Sequence, residues 1–87
     1  MTKEEREKLI DRVVTYQRMV EENRKIMVEY EERYVKLIQN GASDGIDHLN
    51  MMIEKYKSNW CSYRFVVNDL KYTFDITESE LEDYKNG

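Results

Sequence analysis

Apolar positions advance along the first half of the chain in alternating steps of four and three. They run Leu9, Val13, Tyr16, Val20, Met27, Tyr30, Tyr34 and Leu37, with Asn23 the one polar member of the series. That is heptad spacing, which keeps one stripe of a helix facing a partner helix. A second series, Ile46, Leu49, Ile53, Tyr56, Trp60, Tyr63, Val67, Leu70 and Phe74, repeats the same steps. Between the two lies QNGASDG, residues 39–45, which holds two of the three glycines. Asn40-Gly41 suits a left-handed helix C-cap, and Ser43 or Asp44 suits the next N-cap. The pattern therefore predicts two long helices, about 3–39 and about 44–74, folded back on each other as an antiparallel hairpin.

Local signals sharpen the ends. Thr2 and Glu5 have the spacing of a capping box at the start of the first helix. After Phe74, Thr77 and Glu80 repeat that spacing, and Ile76 and Leu81 stand at the positions of a hydrophobic staple. A short third helix, about 78–85, follows from them. Its two turns rise only ~12 Å, enough to cover the end of the second helix near Phe65, Val66 and Tyr72. Tyr72 and Tyr84, both off the seams, are expected to pack on each other. Counting outward from the turn pairs Leu37 with Ile46 and arrives at Asn23 opposite Trp60. A hydrogen bond from the indole N–H to the Asn23 amide would satisfy both groups and disfavour slipped registers. Asn23 facing solvent at a helix bend is the plainer alternative.

The fold class is thus all-α, one domain over residues 1–87: a long, coiled-coil-like helical hairpin with a short C-terminal helix. Apolar residues outside the seams then need a cover. On the first helix they are Ile10, Val14, Met19, Ile26 and Ile38; on the second they are Met51, Met52, Cys61, Phe65, Val66 and Tyr72. The tail can hide the end near Phe65 and Tyr72 but cannot reach Met51, Met52, Ile26 or Ile38, near or toward the turn. These six residues, Ile26, Ile38, Met51, Met52, Phe65 and Tyr72, are the candidate partner-binding apolar face. The symmetric solution is a homodimer of two hairpins forming a four-helix bundle.

Composition agrees with this reading and narrows the function. The absence of proline, the three glycines and the 37 % of charged residues suit a helical chain. No apolar run approaches the ~20 residues of a membrane span, and the start MTKEEREK lacks the apolar stretch of a signal peptide, so a cytoplasmic location without membrane attachment is expected. Residues 1–43 carry nine cations and nine anions, and residues 44–74 four of each. Acids such as Glu4, Glu21, Glu29 and Glu32 stand four residues before bases, as on a solvated helix face. The whole excess of negative charge lies in the tail, where five acids meet only Lys85. Direct nucleic-acid binding is not expected from such a balance.

Candidate chemistry is sparse. His48 has Met52, not a metal ligand, four residues on, and the single cysteine, Cys61, offers no metal-binding spacing. No phosphate loop, nucleophile elbow or Cys-His set is present, so no enzyme activity, metal or cofactor is expected. The expectation is a non-enzymatic protein that binds a larger protein through its apolar face. By analogy, small acidic proteins of this kind act as regulators, adaptors or inhibitors, including those phages make against host defence. Two alternatives stand beside it. The acids Asp75, Glu78, Glu80, Glu82 and Asp83 could imitate a row of phosphates and block a basic groove, or the chain could be a structural subunit of a homo-oligomer.

Overall fold

The computed structural model describes residues 1–87 and contains three helices, α1 (Lys3–Gln39), α2 (Ile46–Thr73) and α3 (Glu78–Asn86). The first two pack as a long antiparallel hairpin, and α3 folds back against its open end. No helix is long and apolar enough to cross a membrane. At the start of α1 the Thr2 hydroxyl accepts from the Glu5 N–H, and the Glu5 carboxylate accepts from the Thr2 N–H, completing the capping box.

Both helices of the hairpin end in the same device. After α1, Gly41 takes φ +70°, and the N–H groups of Gly41 and Ala42 donate to the carbonyls of Ile38 and Leu37. After α2, Asp75 takes φ +52°, and the N–H groups of Asp75 and Ile76 donate to Tyr72 and Lys71. This double bond pattern is the Schellman motif, which uses a left-handed residue to satisfy the last carbonyls. Glycine fills that position at one end and aspartate at the other. The start of α2 departs from expectation: neither Ser43 nor Asp44 caps it. Gly45 is the N-cap, left-handed at φ +86° and without a side-chain cap, and helix begins at Ile46, two residues later than predicted.

The seams meet near the expected register. Tyr16 stacks on Tyr63 and Tyr30 on Tyr56, each pair with ring centroids 5.8 Å apart. Rings of this length bridge one layer of the predicted pairing to the next. Asn23 is buried, as a seam residue should be, but its partner is not Trp60. Its amide N–H donates to the Met19 carbonyl at 2.7 Å, and its oxygen accepts from the Asn59 amide at 3.4 Å. Trp60 is half-buried with the Arg64 guanidinium 5.7 Å above its ring, so the neighbouring asparagine makes the cross-helix bond instead.

The most fully buried part of the molecule lies at the open end. Ile10, Val13 and Val14 of α1, Val67 of α2, Ile76 and Leu81 form one buried cluster, in which Val13 and Leu81 are 0 % exposed. Ile76 and Leu81 are the two members of the predicted staple. The tail therefore docks mainly on α1, not over Phe65 and Tyr72. Tyr84 does not pack on Tyr72; its hydroxyl donates to the Asp11 carboxylate at 2.6 Å. That bond raises the Tyr84 pKa above the ordinary phenol value, because loss of the proton would set a phenolate against a carboxylate.

Candidate interaction surfaces

The tail acids come first, because α3 fixes most of them. Glu80 lies between the Thr77 cap and Arg6 of α1. Its backbone N–H donates to the Thr77 hydroxyl, but its carboxylate does not return to the cap. It accepts instead from Nε and an Nη of Arg6, both at 2.9 Å. A bidentate, charge-assisted pair outcompetes a bond to a neutral backbone N–H. The second Nη of Arg6 donates to the Phe74 carbonyl at 2.9 Å, so one guanidinium ties α1, the α2–α3 turn and α3 together. These hydrogen bonds hold the Glu80 carboxyl below its usual range and raise Arg6 above its own.

Two more tail acids have cations of their own. Glu78 pairs with Lys71, and Glu82 lies 3.8 Å from Lys85. Asp75 and Asp83 are exposed and outside these pairs. The five acids thus do not form a row: Glu80 faces inward to α1, Glu78 faces α2, and the others lie on separate parts of the tail. The four expected acid-base pairs along helix surfaces stay open, as flexible side chains in water often do.

The apolar candidates also separate. Ile26 and Met52 are half-buried beside the seam, where the hairpin covers part of each. Ile38 is exposed at the turn end of α1, with Val28 and Val35 exposed on the same helix. Met51, Phe65 and Tyr72 are 61 %, 72 % and 90 % exposed, and all three belong to α2. With Ser58 they fall at successive heptad positions, 51, 58, 65 and 72. Ser58 is two residues from the seam residue Trp60, about 200° round the helix, so this stripe points away from α1. Its positions drift by about 20° per heptad on a straight helix, the drift that a left-handed supercoil takes up. Cys61 and Ser62, both small and exposed, lie at its middle.

No group of three or more His, Cys, Asp or Glu side chains is placed to hold a metal ion. His48 is exposed at the start of α2. The two roomiest depressions are open grooves along charged residues of α1, one including Arg18, Glu22 and Lys25 and the other Glu7, Lys8 and Arg12, rather than apolar cavities. Sequence reading missed Arg6 and Asp11 as partners of the tail; both were hidden among many similar surface charges. The chain matches no family model, no curated protein and no solved structure.

Proposed function

We propose that this is a non-enzymatic interaction protein, a small regulator or inhibitor that works by laying the outer face of α2 against a larger protein. The observation that carries the reading is the Met51–Phe65–Tyr72 stripe, whose members are among the most exposed large apolar side chains in the molecule. The shape supports it. The molecule measures 58 × 22 × 15 Å and has a radius of gyration of 17.6 Å, against about 12 Å for a compact chain of this length. Its accessible surface is 6642 Å², where a monomeric protein of this mass exposes roughly 5,500 Å². The excess is comparable to what one partner contributes to a standard protein–protein interface, about 800 Å². The acidic-groove alternative gains no such support, because Glu78, Glu80 and Glu82 already pair with Lys71, Arg6 and Lys85.

The test is affinity capture from the source cell with wild type, Phe65→Glu and a variant in which Asp75, Glu82 and Asp83 are amidated. A protein retained by wild type and the tail variant, at low and high salt, and lost with Phe65→Glu supports the reading. Retention that disappears with salt or with the tail substitutions, yet survives Phe65→Glu, overturns it in favour of charge mimicry.

A further inference from the structure

The order of residues along the outer stripe of α2 is self-complementary. Met51 and Tyr72 are equally distant in sequence from the midpoint between Cys61 and Ser62, and so are Ser58 and Phe65. We infer that the occupant of this stripe is a second copy of the chain, its α2 running antiparallel across the first with a twofold axis beside Cys61 and Ser62. The inference rests on the proposed reading of the stripe as a binding surface; the second copy covers it in the free protein, and a larger partner would have to displace that copy.

Antiparallel pairing sets Phe65 over the partner's Ser58, a large side chain against a small one. At either end Met51 meets the partner's Tyr72, a thioether against an aromatic ring. The small Cys61 and Ser62 let the two backbones approach at the centre, where bulky residues would hold them apart. Parallel pairing would instead oppose Phe65 to Phe65 and leave a gap between the serines.

Charges flanking the stripe fit the same register. Lys55 lies on one side of the Met51–Tyr72 line, as Asp69 does, and in the antiparallel arrangement Lys55 comes beside the partner's Asp69. On the other side Glu54 comes beside the partner's Asn68, and Cys61 beside the partner's Cys61. Like charges directly opposed are thereby avoided. The twofold axis makes each contact between different residues occur twice and places the Cys61 pair on the axis, as an isologous interface requires. The area is adequate as well: Phe65 and Tyr72 are each capable of burying roughly 150–250 Å². Two copies of this pair, with Met51 and the flanking residues, reach the lower range of a stable interface, about 1,200 Å² in total.

The experiment is light scattering across concentration for wild type, Phe65→Glu and Ile26→Glu, with circular dichroism as the folding control. Wild type is expected to form a dimer, and Phe65→Glu to weaken it by roughly thirtyfold or more, the effect of losing a central aromatic anchor. Helix content should stay unchanged, since Phe65 does not contribute to the buried cluster. Lys55→Asp and Asp69→Lys should each weaken the dimer, and the double variant should restore it. A short bis-maleimide should join two wild-type chains through Cys61. A wild type that scatters as one chain throughout overturns the inference, as does a dimer broken by Ile26→Glu and untouched by Phe65→Glu. A monomer that still needs Phe65 to capture a foreign protein would overturn self-pairing while leaving the proposed function standing.

Discussion

At the end that holds both termini, Ile10, Val13, Val14 and Val67 lie buried beneath Ile76 and Leu81, whereas from mid-hairpin to the turn only Asn23, Met27 and Leu49 reach comparable burial. The seams at the two ends are alike in spacing and in aromatic content, with a stacked tyrosine pair in each half. What differs is the number of helices. Two helices in contact shield a narrow strip, and the residues flanking it remain partly wet; a third helix closes one flank. Two turns of α3 suffice to turn Val13 from a seam residue into a wholly buried one. Burial in this molecule is set by cover more than by the quality of the hairpin seam.

The largest way to break this contrast is to remove the cover. Leu81→Ala should cost about 2–5 kcal/mol, because a fully buried leucine is lost from a site with little means of collapse. Urea unfolding should record the loss. Amide exchange should speed up around Ile10–Val14 more than around Met27 and Leu49, making the open end resemble the turn end. Equal acceleration at both ends would show that the hairpin is one cooperative unit without a distinct covered half.

The paired Schellman turns give the next effects, with opposite signs. Gly41→Ala forces a side chain into a left-handed conformation and should destabilise by about 1–2 kcal/mol, although no neighbouring atom crowds the site. Asp75→Gly removes that constraint from the open end and should stabilise by up to about 1 kcal/mol, partly offset by the greater freedom of glycine in the unfolded chain. Shifts in the midpoint of denaturation measure both. An Asp75→Gly variant less stable than wild type would mean that the aspartate side chain supports the turn in a way its backbone angle does not reveal.

The smallest effect is set by pH. The Glu80 carboxyl titrates below its ordinary value of 4.5 in the folded chain. Its contribution is therefore complete above that value and disappears as pH falls through the lowered folded pKa. Tyr84 is shifted upward from 10.0, so its bond to Asp11 contributes below that pH and is lost as pH rises through the folded value. Glu80→Gln should flatten the acid limb of a plot of Tm against pH and leave the alkaline limb intact. Tyr84→Phe should do the reverse. Because both pairs tie α3 to α1, each variant should loosen the open end before the turn end.

The hairpin was legible because heptad steps and the Asn40-Gly41 break act locally. α1 occupies the span its pattern predicts, and the staple residues Ile76 and Leu81 are buried as their spacing implied. The docking of α3 was not legible. A short amphipathic helix beyond a tight turn can lean on either preceding helix, and the choice rests on Arg6 and Asp11, which are 74 and 73 residues away from their α3 partners. The Glu80 spacing was read as a capping box because sequence shows the near partner and conceals the distant one. Asn23 illustrates the same limit at finer scale: its burial followed from its place in the series, while Asn59 rather than Trp60 as its partner followed from side-chain direction.

The rod-like form has a hydrodynamic consequence. A body 58 Å long and 22 Å by 15 Å across spins about its long axis faster than it turns end over end. Amide vectors in α1 and α2 lie close to that long axis, so their relaxation follows the slow rotation and resembles that of a heavier globule. The same friction brings a single chain off a sizing column early, where it can be mistaken for a pair.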